Sequence, residues 1–257
     1  MMSPESPDRP EVGAQAISVV VPAGHDAELL RRCLDGLGRQ TLPAREIIVV
    51  TDPGTPGEVS GVTAVHDVIT VSGAPGVLPA WAGFDAASGP VLLRVNPRST
   101  PAPDHLARLV SAWDRASART PGFAVVGVSG PTRLEIPGWR GELLSGAYRR
   151  AHGASVGRIL GHQPFYGMNY SLRRDWWCSV RRSVREAGAR VSEDVHLSFA
   201  VRPGETIWYA PELCVAARPG PGLPGKVRDG VRTLAVNLLS ESPSTRRSDR
   251  MPAEDRR

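Results

Sequence analysis

Three short runs of β-branched and aliphatic residues, Ile17–Val21, Glu46–Val50 and Pro90–Val95, constrain the fold of this chain most strongly. Each is close to continuous in its apolar character, which is how a strand reads when both of its faces are covered. Helical patterns lie between them. Leu29, Leu30, Cys33, Leu34 and Leu37 recur at three- and four-residue spacing just after Asp26, a residue type that caps helices. A second helix is expected across Pro79–Ser88, and a third carries Leu106, Leu109, Val110 and Trp113 on one face. A weaker strand is expected around Val62–Val71 and another at Phe123–Val128. Strands alternating with helices imply an α/β fold, a mostly parallel central sheet with helices on both faces. Ligands of such sheets bind at the carboxyl ends of the strands, so the segments after Val21, Val50 and Val95 form the expected site mouth.

The second half is less regular. It reads as a helix near Trp139–His152, a strand near Phe165–Leu172, a helix starting at Ser192-Glu193-Asp194, a strand at Thr206–Val215 and an amphipathic segment Lys226–Leu239. Residues 1–15 and 240–257 are polar and lack apolar periodicity, so a single domain over residues 16–239 is expected between two disordered tails. A chain of 257 residues with 41% hydrophobic content suffices for one sizeable core. The net charge of +5 is carried by scattered arginines, with Lys226 the only lysine. That scatter argues against a nucleic-acid surface and leaves some arginines for a phosphate group on a small ligand. Cys33, Cys178 and Cys214 follow no metal-ligand spacing and lie in apolar segments, so buried free thiols in a reducing compartment are expected. With no apolar run of signal-peptide or bilayer-spanning length, a cytoplasmic protein is expected.

Glu193 and Asp194 stand in the first turn of an expected helix, where a carboxylate stays ionised and can take a proton from a hydroxyl group. Acids at that position also simply offset the helix dipole. Gly220-Pro-Gly-Leu-Pro-Gly-Lys226 has the spacing of a phosphate-binding loop up to the lysine, but Val227 has no hydroxyl and two prolines remove amide donors. A loop that closes over a ligand, or a plain connection, fits better. The segment from Lys226 presents Arg228 and Arg232 on its basic side, which suits peripheral contact with an anionic membrane; its apolar side equally suits core packing. His196, two positions after Asp194, faces elsewhere on the helix, Trp81 reads as core, and His162 is a candidate acceptor contact.

Four blocks, in order, carry a resemblance: ISVVVPAGHDAELLRRCLDGLGRQTLPAREIIVV, GFDAASGPVLLRVNPRSTPAPDHLARLV, FYGMNYSLRRDWW and SEDVHLSFAV. The chain resembles the family 2 glycosyltransferases of the GT-A fold over about residues 15–218. That resemblance implies transfer of one sugar from a nucleotide-sugar donor to a small-molecule, lipid-linked or glycan acceptor, with inversion at the sugar carbon. It implies that Pro22 and Ala23 lie against the nucleobase and that Asp52 contacts base or ribose. It implies that Asp194 is the general base and that Glu193 supports acceptor or loop geometry. Tyr166, Met168 and Asn169 line or support the acceptor side, and Lys226 or Arg228 lies near the diphosphate. The family's Gln-x-x-Arg-Trp block of processive members is absent, so a single transfer is expected.

The family also uses Mg²⁺ or Mn²⁺ held by an Asp-x-Asp triplet, and here that triplet reads Asn96-Pro97-Arg98. A divalent cation held by carboxylates neutralises charge on the departing diphosphate. Asn96 offers one neutral oxygen, Pro97 none, and Arg98 repels the ion, so no metal is assigned. Two readings of Arg98 remain: a guanidinium that replaces the metal on the phosphates, or a solvated loop residue left after the site decayed. The second leads to a non-catalytic binding or scaffold protein.

Overall fold

The computed structural model describes residues 16–218 except 53, 75–76, 137–138, 140–159 and 186–192. In chain order the first half runs β1 (Ile17–Pro22), α1 (Ala27–Gly38), β2 (Glu46–Thr51), α2 (Gly57–Ala64), β3 (Ile69–Ser72), α3 (Pro79–Ala86) and β4 (Val91–Val95). It continues with β5 (Ser99–Thr100), α4 (His105–Arg119), β6 (Ala124–Ser129) and β7 (Thr132–Leu134). Last come β8 (Asn169–Arg173), α5 (Arg174–Arg185), α6 (Glu193–Phe199), β9 (Glu205–Tyr209) and β10 (Val215–Ala217). Seven strands form the main sheet in the order β3-β2-β1-β4-β8-β6-β9. Pairing is parallel except where β8 runs against β4 and β6. A second, three-stranded sheet has the order β5-β10-β7.

The continuous apolar runs become strands whose alternate residues feed two cores. Val19, Val21, Val49, Leu93 and Val95 meet Leu30, Cys33, Leu34 and Leu37 of α1 and Leu106, Leu109 and Trp113 of α4 on one face. Val20, Ile48, Val50, Leu92, Tyr170 and Leu172 meet Trp81 and Phe84 of α3, Trp176 and Trp177 of α5 and Leu197 of α6 on the other. The Asp26 side chain caps α1 by accepting the Leu29 N–H at 3.0 Å. The helix α3 lies so close to the sheet that a Cβ at Gly83 would stand 2.3 Å from Val20 Cγ1, a distance only glycine permits.

Four expectations are corrected. The strand expected around Val62–Val71 begins only at Ile69, as β3, because residues 57–64 form helix α2; only Val59, Val62 and Thr63 are buried there, too few to show a helical stripe in sequence. The strand expected at Phe165–Leu172 starts only at Asn169, because the amides of Phe165 and Tyr166 bond the Ser198 and Ser129 hydroxyls instead of a neighbouring strand. The strand expected at Thr206–Val215 is two, β9 and β10, in different sheets. Among the cysteines, Cys33 is buried, its thiol pushed up to about 12 by burial, whereas Cys178 and Cys214 are exposed. Trp139 is the only described residue of the helix expected at Trp139–His152, and Lys226–Leu239 lies outside the described residues.

His105, the first residue of α4, is buried and bonds Asn169 Oδ1 through Nε2 at 3.1 Å, while Asn169 Nδ2 donates to the Leu213 carbonyl at 2.6 Å. Asn169 Oδ1 therefore accepts, and His105 Nε2 carries the proton of a neutral ring. Burial lowers the His105 pKa to about 4, from 6.5 in an unfolded chain. The folded state thus binds this proton less readily than the unfolded state. The stabilisation is complete above pH 6.5 and is lost as pH falls from 6.5 towards 4, reaching roughly 3 kcal/mol. Urea unfolding of the wild type and of His105→Gln across that range will show the difference between the two shrinking as the pH falls.

Candidate active site

Strands β1, β2 and β4 are parallel neighbours, so Pro22, Thr51 and Val95 end at one edge of the sheet. The loop after β1 is tied there by the Ala23 N–H, which donates to the Val50 carbonyl at 2.8 Å, and Gly24 turns it with φ of +67°. Asp52 follows β2; its N–H bonds Thr55 Oγ1 at 2.8 Å and its carboxylate lies against Gly73, where a Cβ would come within 2.5 Å of Oδ1. Pro22 and Asp52 are half-buried and Ala23 is buried.

Past β4, Asn96 Oδ1 accepts the Arg98 N–H at 3.0 Å, and the Asn96 N–H donates to the Met168 carbonyl at 3.2 Å. This sharp turn spends the one neutral oxygen of the triplet on its own backbone. A divalent cation does not fit these residues: the remaining groups are a proline and a guanidinium. Among the described residues, no group of three or more His, Cys, Asp or Glu is placed to hold a metal ion.

The segment 165–169 joins the triplet to the Glu-Asp pair. Asp194 is 8% exposed, and its Oδ2 accepts the Gly167 N–H at 2.9 Å. A Cβ at Gly167 would stand 2.7 Å from that oxygen, so glycine is what lets backbone and carboxylate meet. Asp194 is thus linked to Asn96 by two hydrogen bonds through two consecutive residues, Gly167 and Met168. Glu193 accepts from the Tyr170 hydroxyl and pairs with Arg94 Nε at 3.2 Å; Arg94 Nη1 donates to the Gly167 carbonyl. Burial, with the Glu193 carboxylate beside it, pushes the Tyr170 hydroxyl well above its ordinary range, so it remains a donor.

The other expected acceptor-side residues are placed as follows. Tyr166 is buried against Tyr209, with ring centroids 5.5 Å apart, and Met168 is half-buried. The Asn169 side chain is committed to His105 and Leu213 and supports the turn from below. His196 bonds the Val184 carbonyl at 2.9 Å, and Trp81 is core. Lys226 and Arg228 lie outside the described residues. Sequence reasoning missed Arg94 and Tyr170, which face each other across β4 and β8. The available signal was a single charged residue inside the apolar run Val91–Val95.

The model of glycosyl transferase family 2 matches residues 18–166. No curated protein matches the chain. Among solved structures, a mannosyltransferase from Pyrobaculum calidifontis in complex with GDP-Man and Mn²⁺ is similar, with TM-score 0.61 and 19% identity over 88% of this chain. This chain spans 65% of that protein's length. Glucosyl-3-phosphoglycerate synthase from Mycobacterium tuberculosis, in complex with Mn²⁺, UDP and glucosyl-3-phosphoglycerate, gives TM-score 0.56 and 18% identity, covering 91% of this chain and 83% of its own. TarS from S. aureus in complex with UDP-GlcNAc gives TM-score 0.57 and 14% identity, covering 88% and 67%. At these identities the structures share the fold. The family match spans more than half of the sequence and takes in β1, β2, β4 and the Asn96-Pro97-Arg98 turn, so this chain belongs to glycosyl transferase family 2.

Proposed function

We propose that this protein transfers one sugar from a nucleotide-sugar donor to an acceptor hydroxyl, with inversion and without a divalent metal ion. The observation that carries this reading is the placement of Asp194. Its carboxylate is held by the Gly167 N–H, next to the residue whose carbonyl binds Asn96, so base and triplet share one strand edge. Pro22, Ala23 and Asp52 at the same edge hold the nucleoside, and Arg98 faces the diphosphate. In the step itself the acceptor oxygen attacks the anomeric carbon and its proton passes to Asp194. The carbon–oxygen bond to the diphosphate breaks, and the nucleoside diphosphate leaves with the electron pair.

Glu193, engaged by Tyr170 and Arg94, holds the acceptor-side loop, which includes Tyr166, Met168 and Asn169. The acceptor is a small molecule, a lipid-linked group or a glycan, and a lipid-linked one would bring the protein to a membrane surface. Among the described residues no helix is long and apolar enough to cross a membrane, and the free cysteines suit a reducing cytoplasm. The engagement of Asn96 Oδ1 by its own turn favours a second reading, a non-catalytic binding or scaffold protein of the same fold. The two separate on incubation with UDP-, GDP- and dTDP-sugars in EDTA. Slow release of nucleoside diphosphate from one donor, lost in Asp194→Asn, supports transfer; binding without release supports the second reading.

A further inference from the structure

The small sheet sets a row of charges beside the triplet. Strands β5 and β10 are antiparallel, with Ala216 opposite Thr100 and Ala217 opposite Ser99. The next step of that register places Arg218 opposite Arg98, and the Arg218 N–H donates to the Arg98 carbonyl at 3.1 Å. Directly opposite residues of an antiparallel pair put their side chains on one face, with Cβ atoms roughly 4.5–5.5 Å apart. On the far side of β10, Glu135 follows β7 and pairs with Arg218 at 3.6 Å, and Arg32 of α1 reaches the same carboxylate at 3.4 Å. The row therefore runs Arg98, Arg218, Glu135, Arg32, with Glu135 on the side of Arg218 away from the β5 strand.

Like charges directly opposite each other on antiparallel strands are destabilising. An anion lying across the pair reverses the sign of that interaction, and a guanidinium fork suits two oxygens of one phosphate. We propose that Arg98 and Arg218 form a two-arginine clamp for the donor's diphosphate, two fixed single charges standing where a divalent ion would supply two. This rests on the reading of the site as one for a nucleoside diphosphate sugar. Arg218 is the new element: it comes from the other end of the domain and is brought to the triplet only by the pairing of β10 with β5.

The test is calorimetric titration of the full chain in EDTA with inorganic pyrophosphate, and separately with UDP and GDP. The proteins are the wild type, Arg98→Gln, Arg218→Gln and the double variant. Pyrophosphate affinity will fall at least about tenfold in each single variant, because a charged hydrogen bond commonly carries a change of that size. The double variant will lose less than the product of the two, as expected of groups that hold one ligand together. Unchanged pyrophosphate affinity in Arg218→Gln, or no binding of pyrophosphate by the wild type, overturns the clamp. If pyrophosphate binds through both arginines but UDP and GDP do not, the clamp stands and the nucleotide-sugar reading falls. If UDP or GDP binds equally well to wild type and Arg218→Gln, the reading stands and the clamp falls.

Discussion

Asp194→Asn will lower the rate of sugar transfer by about 10²- to 10⁴-fold, the usual contribution of a general base, and will leave the folded protein intact. Asparagine keeps the volume of aspartate, and its side-chain oxygen can still accept the Gly167 N–H that meets Asp194 Oδ2 at 2.9 Å. Only the ability to take a proton is removed. The loss will fall on kcat, because Pro22, Ala23 and Asp52, the proposed nucleoside contacts, lie at the ends of other strands than the segment that holds Asp194. Steady-state kinetics with a thermal melt of the same sample checks both halves. Activity within a few-fold of wild type would remove Asp194 as the base.

Arg94→Met will destabilise the protein by about 3–5 kcal/mol, the usual cost of stripping one partner from a buried ion pair. The Arg94 and Glu193 side chains are only 12% and 13% exposed. Methionine fills much of the arginine stem but leaves the Glu193 carboxylate beside the Tyr170 hydroxyl without its cation, and leaves the Gly167 carbonyl without its donor. Adding Glu193→Met to Arg94→Met will recover most of the loss, since removing both charges together is often neutral or stabilising. Urea unfolding of the two single variants and the double variant closes this cycle. A loss below about 1 kcal/mol in Arg94→Met would place the pair among the weak surface ion pairs.

These predictions draw on features the sequence displays unevenly. Strands β1, β2 and β4 and helices α1 and α4 are legible because their residues are buried in patterns with a fixed period. Helix α2 is not, because its buried residues are few and its length is short, and β3 is an edge strand with mostly exposed residues. The apolar stretch through β9 and β10 reads as one strand although the chain changes sheets at the turn near Pro211. Cys178 lies on the outer side of α5, away from the face that buries Trp176, Trp177 and Val180.

The site divides the same way. Asn96, Arg98, Glu193 and Asp194 come forward as candidates because a local motif carries each of them. Arg94 and Arg218 are brought to their neighbours by strand register: Arg94 opposite Tyr170 across β4 and β8, Arg218 opposite Arg98 by continuation of the β10–β5 pairing. No local pattern encodes a cross-strand neighbour. Gly167 shows the same limit, since the need for glycine there arises from Asp194, 27 residues further along the chain.

The most direct test of the central claim is calorimetric titration of the wild-type chain with UDP, GDP, dTDP and CMP, each in Mn²⁺ and again in EDTA. A site whose triplet is Asn96-Pro97-Arg98 predicts that one nucleoside diphosphate binds with the same affinity under both conditions, and that Arg98→Ala loses it. Binding that appears only with Mn²⁺, or no binding to any of the four, would contradict a metal-independent nucleotide site at this strand edge.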